Sequence, residues 1–220
     1  NVLLDQYGCF RSHSYNIEQT IILSCTGWGG STWLAQIIQS VTGHQILWEQ
    51  LHWKSNPDAE AVGLGRPTYL PRHEDHPEVA HFSVRDLLFL RAYVAKFVTA
   101  NLLLPWIVDR FRPRCIHLLR HPCAVVSSQM IHGEWDEVDR SFCRHPKLFN
   151  EHPHLGAIFE DLNSHEKVLA FNWAVQTFVP LRASAPRPWL TTTYEHLVCN
   201  GREEVERIFS HLGDPIPERV

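Results

Sequence analysis

The stretch Thr20–Trp33, TIILSCTGWGGSTW, decides the fold. Its first half, Thr20–Cys25, is a β-branched and apolar run, which predicts a buried strand. After a glycine-rich turn, apolar residues recur at spacings of three and four, which predicts a helix over Thr32–Val41. A strand, a glycine turn and a helix in this order are typical of a phosphate-binding unit, because the free N–H groups and the positive dipole end of the helix point at the anion.

The turn itself has the composition of an anion site. It reads Gly27-Trp28-Gly29-Gly30-Ser31-Thr32. Glycines let the backbone curl and approach an anion closely, and the two hydroxyls supply further donors. A Walker A loop would place Lys directly before Ser31, where this chain has Gly30, so that loop type is not indicated. The alternative is a plain tight turn before a helix.

The rest of the chain alternates strands with helices. Strands are predicted at Cys115–Leu119, at Trp189–Thr193 and within Thr42–Trp53; helices over Asp86–Arg110 with a break at Pro105, Pro122–Met130, Lys167–Leu181 and Arg202–Leu212; and loops over Lys54–His81 and Ser141–His154. Alternating strands and helices form parallel sheets that are covered on both faces. We therefore expect a single α/β domain over residues 1–220, with a parallel sheet flanked by helices.

A second candidate anion contact follows the Cys115–Leu119 strand. Arg120 stands at the carboxyl end of this strand, which is where parallel α/β sheets bind ligands. Its planar fork of donors suits a phosphate group. Ser128 lies eight residues further on, in the following helix, where its hydroxyl could reach the same group. The alternative is a structural arginine that caps the edge of the sheet.

Together these segments resemble the PAPS-dependent sulfotransferases, the carbohydrate and bacterial types in particular (PAPS is 3′-phosphoadenosine 5′-phosphosulfate). That family pairs a loop P-K-S-G-T-T-W with a later R-x-P-x-x-x-x-x-S. Here Gly30-Ser31-Thr32-Trp33 matches the end of the loop, and Arg120, Pro122 and Ser128 match the second motif at its full spacing. Tyr194-Glu195-His196-Leu197 resembles the family's Y-E-D-L. The motifs stand in the family's order, so the resemblance covers about residues 18–213.

The resemblance implies the P-loop NTPase-like sulfotransferase fold, with PAPS as co-substrate and PAP, its desulfated form, as product. It assigns the nucleotide to eight residues: Gly29, Gly30, Ser31 and Thr32 around the 5′-phosphosulfate, Arg120 and Ser128 at the 3′-phosphate, Trp33 beside the adenine, and Tyr194 near the nucleotide.

The chain departs from the family pattern at two places. Trp28 stands where the family has Lys or Arg, whose charge neutralises the leaving phosphate, and a tryptophan cannot do that. Either another cation such as Lys96 substitutes, or the nucleotide binds in an altered way, or the activity is weak. The family's basic C-terminal nucleotide clamp has no counterpart before Val220, so we expect a C-terminally incomplete chain.

Three residues are candidates for the chemical step. The segment Leu47–His52, LWEQLH, resembles the E-P-L segment of carbohydrate-type members, in which an acidic residue takes the proton of the acceptor hydroxyl. Glu49 is the candidate base and His52 its competitor; the alternative is a salt-bridged glutamate at a strand end. Lys96 resembles the family's lysine before the arginine motif, which contacts the reacting groups. Its alternative is a helical lysine whose stem lies along apolar surface.

Composition excludes other classes of protein. Lys and Arg number 20 against 24 Asp and Glu, a net charge of −4, so the chain lacks the basic excess of a dedicated nucleic-acid binder. No apolar run reaches the roughly 18 residues of a membrane span. The six cysteines form no CxxC pair and no Asn-x-Ser/Thr sequon is present, which favours a cytoplasmic location. The alternative is the Golgi lumen, if a segment before Asn1 carries an anchor.

The 15 histidines raise the question of a metal. His73, His76 and His81 stand among acidic residues and could form a metal site. They lie in a proline-broken segment that fixes no geometry, and sulfuryl transfer needs no metal. We therefore expect no metal, and a solvated loop or a wall of the acceptor cleft instead.

These patterns predict an enzyme that moves the sulfuryl group of PAPS to a hydroxyl or amine by in-line displacement. The acceptor is expected to be a small molecule, a carbohydrate or a secondary metabolite, with no nucleic-acid partner. One alternative is a P-loop nucleotide or small-molecule kinase, which would need ATP, Mg²⁺ and a loop lysine. Another is a catalytically weak sulfotransferase-like binding protein, which Trp28 favours. The oligomeric state is not encoded in any of these patterns.

Overall fold

A computed structural model describes residues 20–49, 51–52, 67–71, 93–133, 135–136, 138–183, 186–214 and 216. These residues build a five-stranded sheet in the order β2-β3-β1-β4-β5, in which every pairing is parallel. The strands are Ile21–Cys25 (β1), Gln45–Trp48 (β2), Tyr93–Phe97 (β3), Arg114–Leu119 (β4) and Leu190–Thr193 (β5). The predicted parallel α/β architecture is thereby confirmed.

Helices cover both faces of this sheet. They are Ser31–Thr42 (α1), Leu104–Phe111 (α2), Pro122–His132 (α3), Pro146–Glu151 (α4), Pro153–Glu160 (α5), His165–Arg182 (α6), Tyr194–Cys199 (α7) and Gly201–Leu212 (α8), with short 3₁₀ turns at Asn101–Leu103 and Arg140–Cys143. Among the described residues, no helix is long and apolar enough to cross a membrane.

The central strand β1 explains why the sheet is covered on both sides. All five of its residues are buried, and its apolar residues are divided between two cores. Ile22 packs with α2 through Trp106 on one face, whereas Ile21 and Leu23 pack with α1 and α8 on the other. Successive side chains of a strand point to opposite faces, so a continuous apolar run is what a strand with two covered faces requires.

Two predicted segments differ from the structure. The helix predicted over Asp86–Arg110 is wrong at Tyr93–Phe97, which forms strand β3 between β1 and β2, and it is confirmed at residues 104–110, which belong to α2. Residues 86–92 lie outside the described part of the chain. A short buried apolar run has no period that separates a strand from a helix. Pro105 lies in the first turn of α2 and breaks nothing, since proline there needs no amide partner.

The loop predicted over Ser141–His154 is wrong as well. This segment contains a 3₁₀ turn, α4 and the start of α5, and each of the two helices has a proline in its first turn. The prolines that indicated a loop therefore start helices. Most of the predicted Lys54–His81 loop, with the candidate metal residues His73, His76 and His81, lies outside the described residues.

Candidate functional site

A cavity of about 760 Å³ opens at the carboxyl edge of the sheet. The glycine turn leaves β1 at this edge, Glu49 follows β2, and Arg120 follows β4. Of the residues predicted for the site, those that line the cavity are Gly30, Ser31, Thr32, Trp33, Glu49, His52, Lys96, Arg120 and Tyr194. The carboxyl ends of parallel strands meet at one edge, which is why segments distant in sequence converge here.

The glycine turn is packed so tightly that side chains are excluded from it. Gly30 has φ +92°, and a Cβ on it would lie 2.4 Å from Cδ2 of Tyr194. A Cβ on Gly27 would lie 1.9 Å from Cζ2 of Trp135. A Cβ on Gly29 would lie 2.1 Å from the sulfur of Cys25. The glycines therefore keep the backbone itself at the surface of the cavity.

Helix α1 begins directly after this turn. Gly30 is its N-cap, with no side chain to satisfy the first N–H groups, and its first turn holds no acidic residue. Ser31 and Thr32, the first two helical residues, line the cavity. The positive end of the helix thus faces the cavity with two hydroxyl-bearing residues and no capping side chain, which is the arrangement that favours an anion.

Arg120 joins the end of β4 to the glycine turn. Its Nη1 donates a hydrogen bond to the carbonyl oxygen of Trp28 at 2.7 Å. Its guanidinium carbon lies 4.8 Å from the ring centroid of Tyr194, and that ring meets Trp33 edge-on at 5.8 Å. The indole of Trp173 donates to the carbonyl oxygen of Arg120 at 3.2 Å. One guanidinium therefore contacts both the turn and the ring of Tyr194.

Two predicted residues lie away from the cavity surface. Ser128 is half-buried on α3 and is not among the lining residues, so its hydroxyl is not brought to the cavity. The N–H of Gly29 donates to the carbonyl oxygen of Thr26 at 3.0 Å, so this amide is used inside the turn. The expected phosphate contacts of both residues stay predictions.

Glu49 and Lys96, which both line the cavity, form a largely buried ion pair. Lys96 Nζ donates to Glu49 Oε1 at 2.7 Å, and the side chains are only 8% and 18% exposed. The N–H of Val98 donates to Oε2 of Glu49 at 2.9 Å. Lys96 lies on β3, so the helical placement expected for it is wrong, while the alternative of a salt-bridged Glu49 at a strand end is correct in geometry.

His52 is close in the chain to this pair. Its backbone N–H donates to the carbonyl oxygen of Glu49 at 3.0 Å, and the residue lines the cavity. By its position at the cavity, His52 therefore stays a candidate base beside Glu49.

Trp28 places an aromatic ring in the glycine turn, at the position where the resembled sulfotransferases have a cation. Its indole stacks on His132 with centroids 4.2 Å apart and planes at 8°. Its φ is +63°, and Glu49 has φ +50°. In the described residues only one other non-glycine residue has positive φ, Arg112, which caps the end of α2. Left-handed backbone of this kind collects at functional sites, where the surroundings hold it in place.

Sequence reasoning missed several residues of the site. Trp135 covers Gly27, and both Trp135 and Thr99 line the cavity. The hydroxyl of Thr99 is buried without a hydrogen-bond partner. The Nε2 of Gln129 donates to the carbonyl oxygen of Gly27 at 3.1 Å. None of these residues belongs to a motif, and their contacts join distant parts of the chain. Across the described ranges, no group of three or more His, Cys, Asp or Glu could hold a metal ion.

Gly30→Ala tests how tightly the turn is built. The variant places a Cβ in a left-handed residue and against the ring of Tyr194, whereas Gly43→Ala, at φ +72°, meets no atom within 4 Å. Both variants lose the conformational freedom of glycine, so Gly43→Ala is a matched control. We expect Gly30→Ala to lower the free energy of unfolding by about 1–3 kcal/mol more than Gly43→Ala, measured by urea denaturation. Equal losses would mean that Tyr194 does not confine the turn.

The fold described here is similar to that of mouse sulfotransferase SULT7A1 complexed with PAP, at 16% identity and a TM-score of 0.50, over 96% of this chain and 64% of that chain. Sulfotransferase STF1 from Mycobacterium tuberculosis is 13% identical with a TM-score of 0.49, over 98% of this chain and 72% of that one. This chain thus spans 64% of the length of the mouse protein. No family model and no curated protein matches the sequence. The likeness shows the P-loop-like α/β fold that sulfotransferases have.

Proposed function

We propose that this chain transfers the sulfuryl group of PAPS to a hydroxyl of an acceptor. The proposal depends on one observation: the 2.7 Å hydrogen bond that joins Arg120 to the glycine turn. Arg120 and the glycine turn line the same cavity as the Glu49–Lys96 pair. A doubly phosphorylated nucleotide needs anion contacts at two ends, and a transferable group needs acid–base residues beside it. This cavity brings both kinds of residue together, on a fold similar to that of a protein complexed with PAP.

The residues that would hold PAPS fit an anion chemically. Gly30, Ser31 and Thr32 offer backbone amides and hydroxyls at the positive end of α1 for the 5′-phosphosulfate. Arg120 would take the 3′-phosphate, because its fork retains donors beyond the one bound to Trp28. Trp33 and Tyr194 present aromatic surface for the adenine. Ser128 stays a second candidate for the 3′-phosphate, on α3.

The transfer balances without any further reactant. The oxygen of the acceptor hydroxyl bonds to sulfur, the bond from sulfur to the bridging phosphate oxygen breaks, and its electron pair stays on PAP. Glu49 accepts the hydroxyl proton, a role worth roughly 10²–10⁴-fold in rate. Products are a sulfate ester and PAP. His52 is the competing base.

Lys96 is the cation we propose in place of the missing loop lysine. It is buried at the end of β3, and its ammonium lies 2.7 Å from Glu49 and 5.1 Å from the ring centroid of Trp48. A positive charge in such a low-dielectric site stabilises the charge that grows on the departing phosphate more strongly than it would in water. Among the described residues that line the cavity, Lys96 and Arg120 are the only lysine and arginine.

The acceptor we propose is a carbohydrate or a small secondary metabolite. Trp28 and Trp135 line the cavity, and their flat faces suit the face of a sugar ring or of another ring system. Glu49, which lines the same cavity, would take the proton of a hydroxyl group.

Binding and transfer are tested separately. We expect PAP to raise the melting temperature of the protein, and ATP with Mg²⁺ to leave it unchanged; the reverse would support a P-loop kinase and overturn the proposal. Transfer is then measured from ³⁵S-labelled PAPS to methyl glucoside, N-acetylglucosamine and 2-naphthol. PAP binding with no transfer to any of the three would favour a sulfotransferase-like binding protein.

A further inference from the structure

A buried hydrogen-bond centre lies directly behind the cavity. Asn101, in the 3₁₀ turn after β3, has no exposed surface. Its Nδ2 donates to the carbonyl oxygen of Cys25 at 2.8 Å and to Oε1 of Gln176 at 2.7 Å. Its Oδ1 accepts from the hydroxyl of Ser24. Both amide protons and the amide oxygen are thus used, so the orientation of this side chain is fixed.

These bonds join the two halves of the site. Cys25 is the last residue of β1, from which the glycine turn departs. Asn101 follows the segment Val98–Ala100, and Nδ2 also lies 3.3 Å from the carbonyl oxygen of Val98, whose N–H holds Glu49. One side chain therefore contacts the start of the nucleotide-binding turn and the backbone that holds the Glu49–Lys96 pair.

Helix α6 anchors this centre from behind. Gln176 accepts from Asn101, and its own Nε2 donates to Oδ1 of Asn172 at 2.8 Å. Trp173, on the same side of the helix, donates to the carbonyl oxygen of Arg120. One rigid helix therefore supports both Asn101 and the backbone of the arginine that contacts the turn.

The opposite end of the network is held by a neutral histidine. The hydroxyl of Ser24 donates its proton to Asn101, so the Nδ1 of His117, 3.2 Å away, must donate to that hydroxyl. Burial lowers the pKa of His117 to about 4, so the ring is uncharged at neutral pH. Every side chain of the network is therefore uncharged. The direction of each hydrogen bond follows from which groups can donate and which can accept.

We propose that Asn101 is a positioning residue that sets the distance between the nucleotide-binding turn and the Glu49–Lys96 pair; as a role in transfer, this depends on the proposed function. The turn has its own attachment through Arg120, so PAP binding does not require Asn101. Transfer does, because the acid–base pair must stand at the right distance from the sulfuryl group. A misplacement of about 1 Å at such a site costs roughly 10²-fold in rate.

The test compares Asn101→Ala with Thr192→Val. Thr192 is a buried residue of β5 that hydrogen-bonds Glu204, outside the cavity, so its variant also loses a buried hydrogen bond but touches no part of the site. With the best acceptor of the three above, at a temperature where both variants are folded, we expect Asn101→Ala to lower kcat by more than about tenfold and to change the Kd for PAP by less than about threefold. Thr192→Val should change neither.

Two further readouts separate positioning from general destabilisation. Glu49→Gln should lower kcat far less in the Asn101→Ala background than in the natural chain, because the carboxylate it removes is already displaced. Amide hydrogen exchange of Val98, whose N–H binds Glu49, should be at least about tenfold faster in Asn101→Ala and unchanged in Thr192→Val. Exchange needs no turnover, so it tests Asn101 even if the proposed function fails.

The inference is overturned by unchanged Val98 exchange, by an unchanged kcat in an active enzyme, or by additive effects of the two variants. Should Asn101→Ala fail to fold, Gln176→Leu takes its place, since it removes the acceptor on α6 that holds the Asn101 amide, together with the bond from Gln176 to Asn172. In Gln176→Leu, a smaller loss of kcat with a smaller increase in Val98 exchange supports the inference. Exchange and kcat equal to those of the natural chain refute it.

Discussion

Arg120→Ala is expected to weaken PAP binding by more than about tenfold, because a hydrogen bond to a charged group contributes roughly 1.5–3 kcal/mol. The variant removes the guanidinium that we propose for the 3′-phosphate. It also removes the 2.7 Å hydrogen bond to Trp28 that holds the glycine turn, and the cation–π contact with Tyr194. Three contacts are lost at once, so the effect should exceed that of any other single change at the nucleotide end. Isothermal titration calorimetry with PAP measures it.

Arg120→Lys separates charge from geometry in the same experiment. Lysine keeps the positive charge and loses the planar fork, so we expect an intermediate Kd. Arg140→Ala is the matched control, because Arg140 pairs with Glu160 at an exposed position outside the cavity. It should leave the Kd for PAP unchanged. Equal affinity of Arg120→Ala and the natural chain would mean that the nucleotide does not lie where we propose.

The part of the site formed by Arg120 and the glycine turn could be predicted from the sequence, because each follows the end of a strand. Arg120 follows a strong apolar run, and the glycine turn follows another. Since both runs are parallel strands of one sheet, their carboxyl ends had to meet at one edge. The hydrogen bond from Arg120 to Trp28 is a direct consequence of this topology.

The position of the Glu49–Lys96 pair could not be predicted, because it depends on strand pairing that leaves no pattern in the local sequence. Lys96 lies on a strand because Tyr93–Phe97 pairs with β1 and β2, and a buried run of five residues shows neither the helical nor the alternating period. Its ion pair with Glu49 depends on that register, in which Trp48 stands opposite Lys96. A one-residue shift would have turned the lysine to the other face of the sheet.

The buried polar centre could not be predicted for a similar reason. Asn101 sits in an apolar segment, NLLLPW, where an isolated asparagine suggests a turn. Its partners Ser24 and Gln176 belong to β1 and α6, far apart in sequence. Only the packed fold requires these groups to satisfy one another, because a buried amide without partners would destabilise the core.

Glu49→Gln is expected to reduce turnover by roughly 10²–10⁴-fold, the range that general-base catalysis contributes. Glutamine has the shape of glutamate and can still accept from Lys96, but it cannot take a proton from the acceptor. Glu49 is not among the residues that we propose to hold PAP, so the Kd for PAP should change by less than about threefold. Turnover is measured as ³⁵S transfer to the best acceptor, and PAP affinity by calorimetry.

The control for this experiment is a double variant that removes both charges of the Glu49–Lys96 ion pair. Glu49→Gln leaves the ammonium of Lys96 buried without its counter-charge, which lowers stability as well as activity. The double variant Glu49→Gln, Lys96→Met removes both charges, so it should regain stability and remain inactive. A double variant that recovers turnover along with stability would show that Glu49 serves only to neutralise Lys96 and that transfer does not need the charge of Lys96.

The turnover of two single variants then decides between the two candidate bases. Glu49→Gln should lose transfer, because the glutamine cannot accept the hydroxyl proton. His52→Gln should keep full turnover if Glu49 is the base, because the imidazole then has no proton to accept during transfer. The opposite result, with full turnover in Glu49→Gln and lost turnover in His52→Gln, would assign the proton transfer to the imidazole and leave the glutamate as the residue that orients Lys96.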